Sequence, residues 1–514
     1  MSNSNSGAAA VPNANRLLWA GFMAILAAGV GFSVRAGILG QWAEQYGFTM
    51  TELGLITGGG LVGFGVIILL SSFIADAVGY GRLMWIAFAT HLVSAILTLG
   101  AGWAFESGGK SAAFNCLYWG MFLFAVGNGV CEAVVNPLVA SLFPTKKAHY
   151  LNILHAGWPG GLIIGGLLSF FMAGNADAGI KAVAWQIQIS MFLIPVVLYG
   201  LMIVGQKFPI SEATAAGVSI GKMFSYLFHP LMIVMLLIQA MVGYVELGTD
   251  SWIGKITGAI MASPQSGLLL FVYTSGLMFA LRFFAGPIVE RISPLGLLTV
   301  SGLLGFCGLQ LLSSAESVMM CVIAATVYAF GKTFLWPTML AVVSERFPQG
   351  GAITIGAMGG IGMLSAGLLG GPGIGFKQDK YASEQLQEKN PAIYERYKAS
   401  NENSFLWFKT IGLDGAKVGA LADQGKELAR AQEILTKEGK TDENTNKLAA
   451  WWSEASKTAS EDKKPVDEAG LFGGRMALFI TSYIPATMAI MYLLLLGFFA
   501  MSGGYKQIHI DSQH

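Results

Sequence analysis

Residues 125–166 read AVGNGVCEAVVNPLVASLFPTKKAHYLNILHAGWPGGLIIGG and place polar groups inside two long apolar runs. Glu132 and Asn136 are four residues apart, so they share one face of a helix. After a short basic turn, a second apolar helix carries Asn152 and His155. Such groups are unfavourable in hydrocarbon and normally face a protein interior or a water-filled cavity. The stretch therefore predicts one wall of a polar pathway through a membrane protein.

The composition is that of a chain with many membrane-spanning helices. Hydrophobic residues make up 54% of the 514 residues and charged residues 12%, whereas soluble domains carry roughly 25% charged residues. Half of the charged side chains lie between residues 377 and 468, so the rest of the chain is still more apolar. The sequence predicts an all-α polytopic membrane protein.

Several functional classes have no support in the sequence. A net charge of +1 without a basic tract gives no indication of nucleic-acid binding. Cys116, Cys131, Cys307 and Cys321 lie in apolar runs, without the spacing of a metal site or a disulfide framework. No nucleophile–base pattern stands out either. We therefore expect no enzymatic activity, no cofactor, no metal and no nucleic-acid partner.

Twelve apolar segments are long enough to cross a membrane, which takes about 20 residues of helix. They begin near Leu17, Glu52, Leu83, Phe114, Leu151, Trp185, Pro230, Gly267, Leu295, Val318, Ala352 and Met476. An even number puts both termini on one side. Lys and Arg are more frequent in the loops of that side, so the positive-inside rule assigns the termini to the cytoplasm. We expect a disordered tail over residues 1–15 and a C-terminal tail over 503–514.

The chain repeats its own pattern. Leu142-Phe143-Pro144 precedes one glycine-rich segment, and Arg346-Phe347-Pro348 precedes another. Two six-helix halves in parallel repeat are therefore expected, and in such transporters the solute site lies near mid-membrane between the halves. The expected boundaries are 16–205 for the first half, 206–225 for a cytoplasmic linker, and 226–374 with 471–502 for the second half.

Residues 375–470 interrupt this pattern with a charged, helix-prone segment after helix eleven, on the side away from the termini. Lys417 to Gly439 has the pattern of one amphipathic helix. Trp407, Trp451 and Trp452 argue against complete disorder. Two interpretations remain open: a solvated external insert, or a cap that shapes solute access or binds a partner.

Glycines recur at helical spacing in two of the segments. Gly157, Gly161 and Gly165 are four apart, and Gly356 and Gly360 repeat the spacing in helix eleven. Small residues let helix backbones approach closely. We therefore expect close helix contacts at these positions rather than a phosphate-binding loop.

The loops after helices two and eight carry matching acidic, basic and glycine positions. These gate candidates are Asp76, Gly79, Arg82, Gly286, Glu290 and Arg291. The pattern resembles the loop motif of the major facilitator superfamily, although Ser72 and Ala77 stand where that motif has glycine and arginine. The resemblance implies a twelve-helix fold with a cytoplasmic latch between the halves, made by charge pairs and by an acid at a helix N-terminus.

Within that superfamily the chain resembles the fucose–proton symporter family. The matching elements are Glu132 through Asn136-Pro137, Asn152, Tyr244-Val245-Glu246 and Trp336-Pro337-Thr338. In that family the glutamate matching Glu132 takes up a proton, and a second acid lies on helix one. Here the matching stretch of helix one reads Ser33-Val34-Arg35-Ala36-Gly37 and has no Asp or Glu. The resemblance implies proton coupling through Glu132, with Arg35 either paired permanently to it or released when solute competes for Arg35.

Polar and aromatic side chains on several helices are the candidate solute-binding residues. Amides and carboxylates hydrogen-bond sugar hydroxyls, and an aromatic face packs on the sugar ring, although membrane tryptophans also serve as interface belt or core. The candidates are Asn136, Asn152, His155, Trp158, Gln239, Glu246, Asp250, Lys332 and Trp336. The acids of helix seven, Glu246 and Asp250, are natural partners for Lys332. Arg282, close in sequence to Glu290, is expected at the latch.

We therefore expect a monomeric secondary transporter of a bacterial inner membrane. By resemblance it takes up a monosaccharide by alternating access with proton coupling, so its partners are the solute, H+ and the lipid bilayer. The sequence leaves open a facilitator or antiporter for a nucleoside or charged metabolite. It also leaves open a transporter-like sensor that signals through residues 375–470.

Overall fold

The computed structural model describes residues 13–48, 50–58, 60–174, 181–437, 439 and 441–510. Most of the tail expected over residues 1–15 therefore lies outside the described residues, as do the last four residues of the C-terminal tail. Helix already begins at Ala14.

The described chain contains eleven helical segments long and apolar enough to cross a membrane. The longest, Tyr80–Leu142, is two helices joined at Gly109, whose φ of 68° lies outside the right-handed helical region. Twelve spans result, as the sequence predicts. In order they are Ala14–Tyr46, Met50–Gly58 with Gly60–Val78, the two parts of Tyr80–Leu142, Lys147–Met172, Trp185–Ser190 with Leu193–Ile203, Pro230–Gly243 with Tyr244–Gly248 and Thr249–Ile260, Pro264–Arg282, Ala285–Ser313, Val318–Lys332 with Leu335–Arg346, Gly351–Ser365 with Ala366–Gly370 and Gly371–Lys389, and Ala459–Met501.

Short helices connect the spans on one side. They are Glu212–Ala215, Ile220–Ser225 and Tyr226–Phe228 in the linker between the halves, and Pro348–Gly350 before span 11. The first two are preceded by the N-cap residues Ser211 and Ser219. The hydroxyl of each serine accepts a hydrogen bond from the backbone N–H three residues later. Serine at this position satisfies a donor that the helix itself leaves unpaired.

Both ends of the described chain lie on the same face of the helix bundle. Near the start, Asn13 donates to Gln206, 3.0 Å away, in the loop after span 6. Near the end, Gln507 donates to the carbonyl of Pro144, 2.7 Å away, in the loop between spans 4 and 5. We call this side the terminal face and the opposite side the cap face.

The glycines with four-residue spacing do bring helices together. Gly157, Gly161 and Gly165 all face span 1, and a Cβ at Gly161 would lie against the backbone of Leu26 and Val30. Spans 1 and 5 therefore touch backbone to backbone, which only residues without a side chain permit.

The second glycine set joins the two halves. A Cβ at Gly360 of span 11 would lie 3.1 Å from the carbonyl oxygen of Gly65 in span 2. Gly356 packs on Ser72 of the same span. The side chain of Leu69 also fits against Gly360, so the glycines of span 11 let the two halves pack closely at this point.

The segment between spans 11 and 12 is a folded subdomain, which we call the cap (residues 390–458). Its elements are Pro391–Tyr397, the strands β1 (Asn403–Phe405) and β2 (Phe408–Thr410), Gly415–Asp423, Lys426–Lys437 and Glu443–Ala455. The single helix expected over Lys417 to Gly439 is wrong: Gln424, with a φ of 59°, ends one helix before the next begins. Span 12 starts at Ala459, well before the expected Met476.

The cap has its own small core, built on the extended ends of spans 11 and 12. Its buried apolar residues are Leu386, Tyr394, Tyr397, Leu421, Val466 and Ala469. Beside them the carboxylate of Asp462 is buried and bonded by the guanidinium of Arg396. This hydrogen bond raises the pKa of Arg396. The insert is therefore an ordered unit and not a loose solvated loop.

Replacing Gly161 by valine should weaken the bundle, whereas the same change at Gly276 should not. A valine at 161 meets the backbone of span 1, but a Cβ at Gly276 has no heavy atom within 4 Å. Overpacking of this kind costs about 1–3 kcal/mol. Thermal unfolding in detergent should show a lower midpoint for Gly161→Val only; equal midpoints for the two variants would contradict the close contact.

Candidate functional site

A cavity lies between the two halves, partway along the spans. Its walls come from spans 1, 2, 4, 5, 7, 8, 10 and 11, so both halves contribute. The lining residues are Ala24, Ile25, Ala28, Phe64, Asn128, Cys131, Glu132, His155, Trp158, Glu246, Leu247, Arg282, Trp336 and Met363. Five predicted residues are among them: Glu132, His155, Trp158, Glu246 and Trp336.

The polar groups of the opening stretch converge in one corner of this cavity. Asn136 donates its amide to Glu132 Oε1, 3.0 Å away. The Oδ1 of Asn136 lies 2.8 Å from His155 Nε2, which is itself 3.6 Å from Glu132 Oε1. All three side chains are buried. Spans 4 and 5 thus form the predicted wall, and no Arg or Lys of the described residues lies within ion-pair distance of Glu132.

Arg282 connects three other spans at the cavity. Its Nη2 donates to Glu246 Oε1 of span 7 at 2.9 Å, and its Nε donates to the carbonyl of Thr333 in span 10 at 2.9 Å. Its Nη1 donates to the carbonyl of His155 in span 5 at 2.6 Å. Because span 5 belongs to the first half, this last bond crosses the interface between the halves.

Both carbonyls that bind Arg282 lack a helical partner for the same reason. In a helix, each carbonyl accepts the N–H four residues later, and proline has no N–H. Pro159 lies four residues after His155, and Pro337 lies four residues after Thr333. The sequence therefore leaves two acceptors in an apolar region, and a single buried guanidinium satisfies both of them.

The placement of Arg282 corrects the sequence analysis, which assigned it to the latch. Span 8 ends at Arg282, close to the terminal face. A helical side chain, however, points back toward the N-terminus of its helix, here toward the cavity. Adjacency to Glu290 in sequence was therefore misleading, since the direction of the side chain decides the site.

The ion pair expected between Lys332 and an acid of helix seven is present. Lys332 of span 10 is bonded to Asp250 of span 7, and both side chains are almost fully buried. Lys332 and Asp250 are not among the lining residues of the cavity, whereas Arg282 and Glu246 are, and each of the two cations has its own carboxylate. Burying a charge without such a partner is strongly unfavourable.

Several buried polar atoms around the cavity have no hydrogen-bond partner among the described residues. They are Nδ2 of Asn128, both amide atoms of Gln239, Oε2 of Glu246 and the indole N–H of Trp336. The indole N–H of Trp336 lies near Glu132 but does not form a regular hydrogen bond with it. Buried polar groups are normally paired. Asn128, Glu246 and Trp336 line the cavity, whereas Gln239 is not among its lining residues.

Asn128 is a site residue that the sequence analysis missed. Its Oδ1 is held by His91 Nε2 at 3.0 Å, and His91 Nδ1 is held in turn by the hydroxyl of Tyr199 at 2.8 Å. The amide Nδ2 is left facing the cavity. The sequence contained a signal, because Asn128 lies four residues before Glu132 on the same helical face.

Arg35 does not meet Glu132, contrary to the expected pairing. Its guanidinium donates to the carbonyl of Gly31 at 3.2 Å and to Ser94 Oγ at 3.4 Å. Its charge lies 3.9 Å from the centre of the Phe124 ring. The side chain points into the interior of the first half, so the structure does not bring the two predicted coupling residues together.

Asn152 likewise lies outside the cavity lining. Its amide donates to the hydroxyl of Thr338 in span 10 at 3.1 Å and to the carbonyl of Ala148. The bond to Thr338 joins the two halves. Asn152 therefore contributes to the closure between cavity and terminal face.

On the terminal face, Asp76 forms the contact expected of a latch. Its Oδ2 accepts the backbone N–H of Ala352, 3.1 Å away, at the N-terminus of span 11. The hydroxyl of Tyr80 donates to its other oxygen. An acid from the first half thus caps a helix of the second half, where the helix dipole favours negative charge.

The matching loop of the second half contacts the first half less tightly. The backbone N–H of Gly286 donates to His149 Nδ1 at 3.2 Å, and Glu290 lies 3.8 Å from Lys146 with both side chains exposed. The other three gate candidates make no such bond in the described chain. Gly79 supplies a positive φ before span 3, Arg82 donates to the carbonyl of Val78 at the end of span 2, and Arg291 has no ion pair.

Comparison with known proteins gives a family and a fold. A family model described as Major Facilitator Superfamily matches residues 21–371. No curated protein matches the sequence. Among solved structures, the Escherichia coli fucose:proton symporter is similar at 18% identity, covering 71% of this chain and 91% of its own, with a TM-score of 0.57.

Two further structures share the fold. A proton:xylose symporter is 14% identical over 73% of this chain and 90% of its own, with a TM-score of 0.58. The human organic anion transporter MFSD10 is 12% identical over 94% of this chain and 100% of its own, also with a TM-score of 0.58. At these identities the likeness concerns the fold alone.

Removing the latch acid should open the terminal face. In Asp76→Ala the N-terminus of span 11 loses its cap, a change worth about 1 kcal/mol or roughly a fivefold shift in equilibrium. A cysteine that replaces the buried Ser344 should then be alkylated roughly fivefold faster, in membrane preparations that give the reagent access to the terminal face. Asp467→Ala, an exposed change next to the cap, is the matched control; identical rates in both variants would exclude a latch role.

The ion pair at the cavity should show strong coupling in a double-mutant cycle. Arg282→Gln leaves Glu246 buried without a cation, which costs about 3–5 kcal/mol. Adding Glu246→Gln removes that charge, so the double variant should be more stable than Arg282→Gln alone. Thermal unfolding of the four proteins in detergent measures this; additive effects would mean that the pair is not coupled.

Proposed function

This chain belongs to the Major Facilitator Superfamily and is a transporter, and from that premise we propose that it takes up a small neutral polyhydroxylated solute, best fitted by a monosaccharide, in symport with protons. The terminal face is then cytoplasmic, the cap lies outside a bacterial inner membrane, and one chain is the working unit. The charge arrangement of the cavity is the observation that carries the proposal.

The cavity offers hydrogen bonds and no unpaired cation among the described residues. Arg282 and Lys332 are bound to Glu246 and Asp250, so an anionic solute would have to break an ion pair to be recognised. The unpartnered atoms of the cavity's lining residues are one amide N–H group, one carboxylate oxygen and an indole N–H. Hydroxyl groups both donate and accept, and they match such a mixed set.

The aromatic side chains support the same class of solute. Trp158 and Trp336 line the cavity together with Phe64 and Leu247. Small-molecule sites typically combine apolar and aromatic walls with a few placed polar groups. A sugar presents C–H groups to such walls and hydroxyls to the amides, which supports a monosaccharide over a purely apolar compound.

Glu132 is the proposed site of proton coupling. Glu246 and Asp250 each hold a cation, so protonating either of them would disrupt a buried ion pair. Glu132 bonds only to Asn136 and lies near His155. Its proton content can therefore change without breaking a contact to Arg or Lys, and Asn136 transmits that change directly to His155 beside the solute.

Three alternatives have less support. An organic-anion or charged-metabolite carrier needs a cation open to the solute, and Arg282 and Lys332 are each paired with a carboxylate. A facilitator needs no titratable group in the cavity, yet Glu132 lies there without a cation. A sensor that signals through the cap would bind solute without moving it, and the uptake experiment below separates this outcome from transport.

Uptake into proteoliposomes tests the proposal. Labelled neutral monosaccharides, nucleosides and organic acids are supplied with and without an inward proton gradient. We expect a monosaccharide to accumulate only with the gradient. Glu132→Gln should abolish accumulation but keep solute exchange across the membrane, because the amide keeps the hydrogen bond to Asn136 and cannot release a proton.

Glu106→Gln, an exposed change at the cap-face end of span 3, is the control and should accumulate solute as the parent does. Accumulation that survives in Glu132→Gln would remove that residue from coupling. Equilibration without accumulation in the parent would identify a facilitator. Accumulation of an organic acid would contradict the neutral-solute assignment, and binding without flux would identify a sensor.

A further inference from the structure

The turn between β1 and β2 in the cap exposes three large apolar side chains in a row. Leu406 is 58% exposed, Trp407 78% and Phe408 50%. The neighbouring pairs of the hairpin are regular, with Phe405 opposite Phe408 and Asn403 opposite Thr410. A hairpin in water would place polar residues at its turn, so this turn is unusual for a solvated external segment.

The contacts of span 12 relate span 11 to the loop between spans 9 and 10 on the cap face. Span 9 ends at Ser313 and span 10 begins at Val318, and we take Ala315, between them, as the level of the membrane boundary. Arg475 of span 12 donates to the carbonyl of Ala315, 2.5 Å away. Two residues earlier, Gly473 packs on the carbonyl of Gln378 in span 11. Residue 378 of span 11 therefore lies at the same boundary.

The hairpin runs down along span 11 from this boundary. Asn403 donates to Asp379, at the boundary, with a distance of 3.4 Å. Phe405, two residues closer to the turn, packs against Phe376 with ring centres 6.0 Å apart and against Gly373. Gly373 is five residues below Gln378, which is about 7 Å along a helix. The turn at Leu406 and Trp407 extends from there.

We propose that Leu406, Trp407 and Phe408 insert into the outer leaflet at headgroup depth and anchor the cap to the lipid surface. Tryptophan and other amphipathic aromatic side chains favour this layer, and interfacial elements bury their apolar face about 5–10 Å deep. Lys409 and Glu402, which pair at 2.9 Å and are exposed, follow on the side toward water. Leu368, deeper on span 11, is also 54% exposed.

The anchor attaches to a span that is interrupted at the level of the cavity. Span 11 passes through a π-helical segment at Ala366–Gly370, which packs on the π-helical segment Tyr244–Gly248 of span 7 through Gly370 and Gly248. Such segments often mark functional sites in helices. Above them, Trp252 donates to the carbonyl of Gly371. A lipid-anchored cap would therefore hold the outer parts of spans 7 and 11 together.

Depth-dependent fluorescence quenching tests this proposal. In a chain whose exposed Cys307 is changed to serine, Trp407→Cys and, separately, Leu406→Cys carry an environment-sensitive dye. Glu433→Cys, on an exposed part of a cap helix, carries the same dye as the matched control. The proteins are reconstituted with lipids bearing a nitroxide at the headgroup or deep in the acyl chain.

We expect the dye at positions 406 and 407 to show blue-shifted emission. Headgroup nitroxide should quench the dye at these two positions severalfold more strongly than at position 433. Acyl-chain nitroxide should quench less than headgroup nitroxide, since the turn reaches only the interface. Equal quenching of all three sites by aqueous iodide, with no effect of the nitroxide lipids, would overturn the proposal. It would place the turn in the water-filled opening between the halves or against another protein.

Discussion

The guanidinium of Arg282 is the interaction on which the centre of this molecule depends. Two prolines remove the helical partners of the carbonyls at His155 and Thr333, and one charged group restores both bonds. Its charge is balanced by Glu246. Without Arg282, two acceptors and one carboxylate would be buried unpaired in a region without bulk water, which is strongly unfavourable. The broken helices around the cavity are stable because this one side chain joins them.

The hydrogen bond from Arg282 to the carbonyl of His155 also joins the two halves of the protein. Hydrogen bonds cross the interface at the centre and toward the terminal face, where Asn152 meets Thr338 and Asp76 caps span 11. The glycines of span 11 let it pack closely on Leu69 and Ser72 of span 2. Discrete hydrogen bonds of this kind can be exchanged for others. This combination suits a protein that alternates between two arrangements of rigid halves.

The cap shows how a membrane protein stabilises a long insertion. Spans 11 and 12 continue beyond the membrane as paired helices and bring the ends of the insertion close together. A small apolar core and the buried pair of Arg396 and Asp462 then order the segment. A long loop with its ends held in place loses less entropy on folding than a free one. The cap is thereby fixed to the second half, beside the outer parts of spans 7 and 11.

The sequence by itself determined the spans, the two halves, the wall of Glu132, Asn136 and His155, the helix that supplies the partner of Lys332 and the role of the spaced glycines. These follow from hydropathy and helical periodicity, which are local properties. Only the tertiary structure decided that Arg282 reaches the cavity, that Arg35 points away from Glu132, and that the cap hairpin descends along span 11. Side-chain direction and helix neighbours settle these points, because residues close in sequence can face different compartments while residues far apart share one.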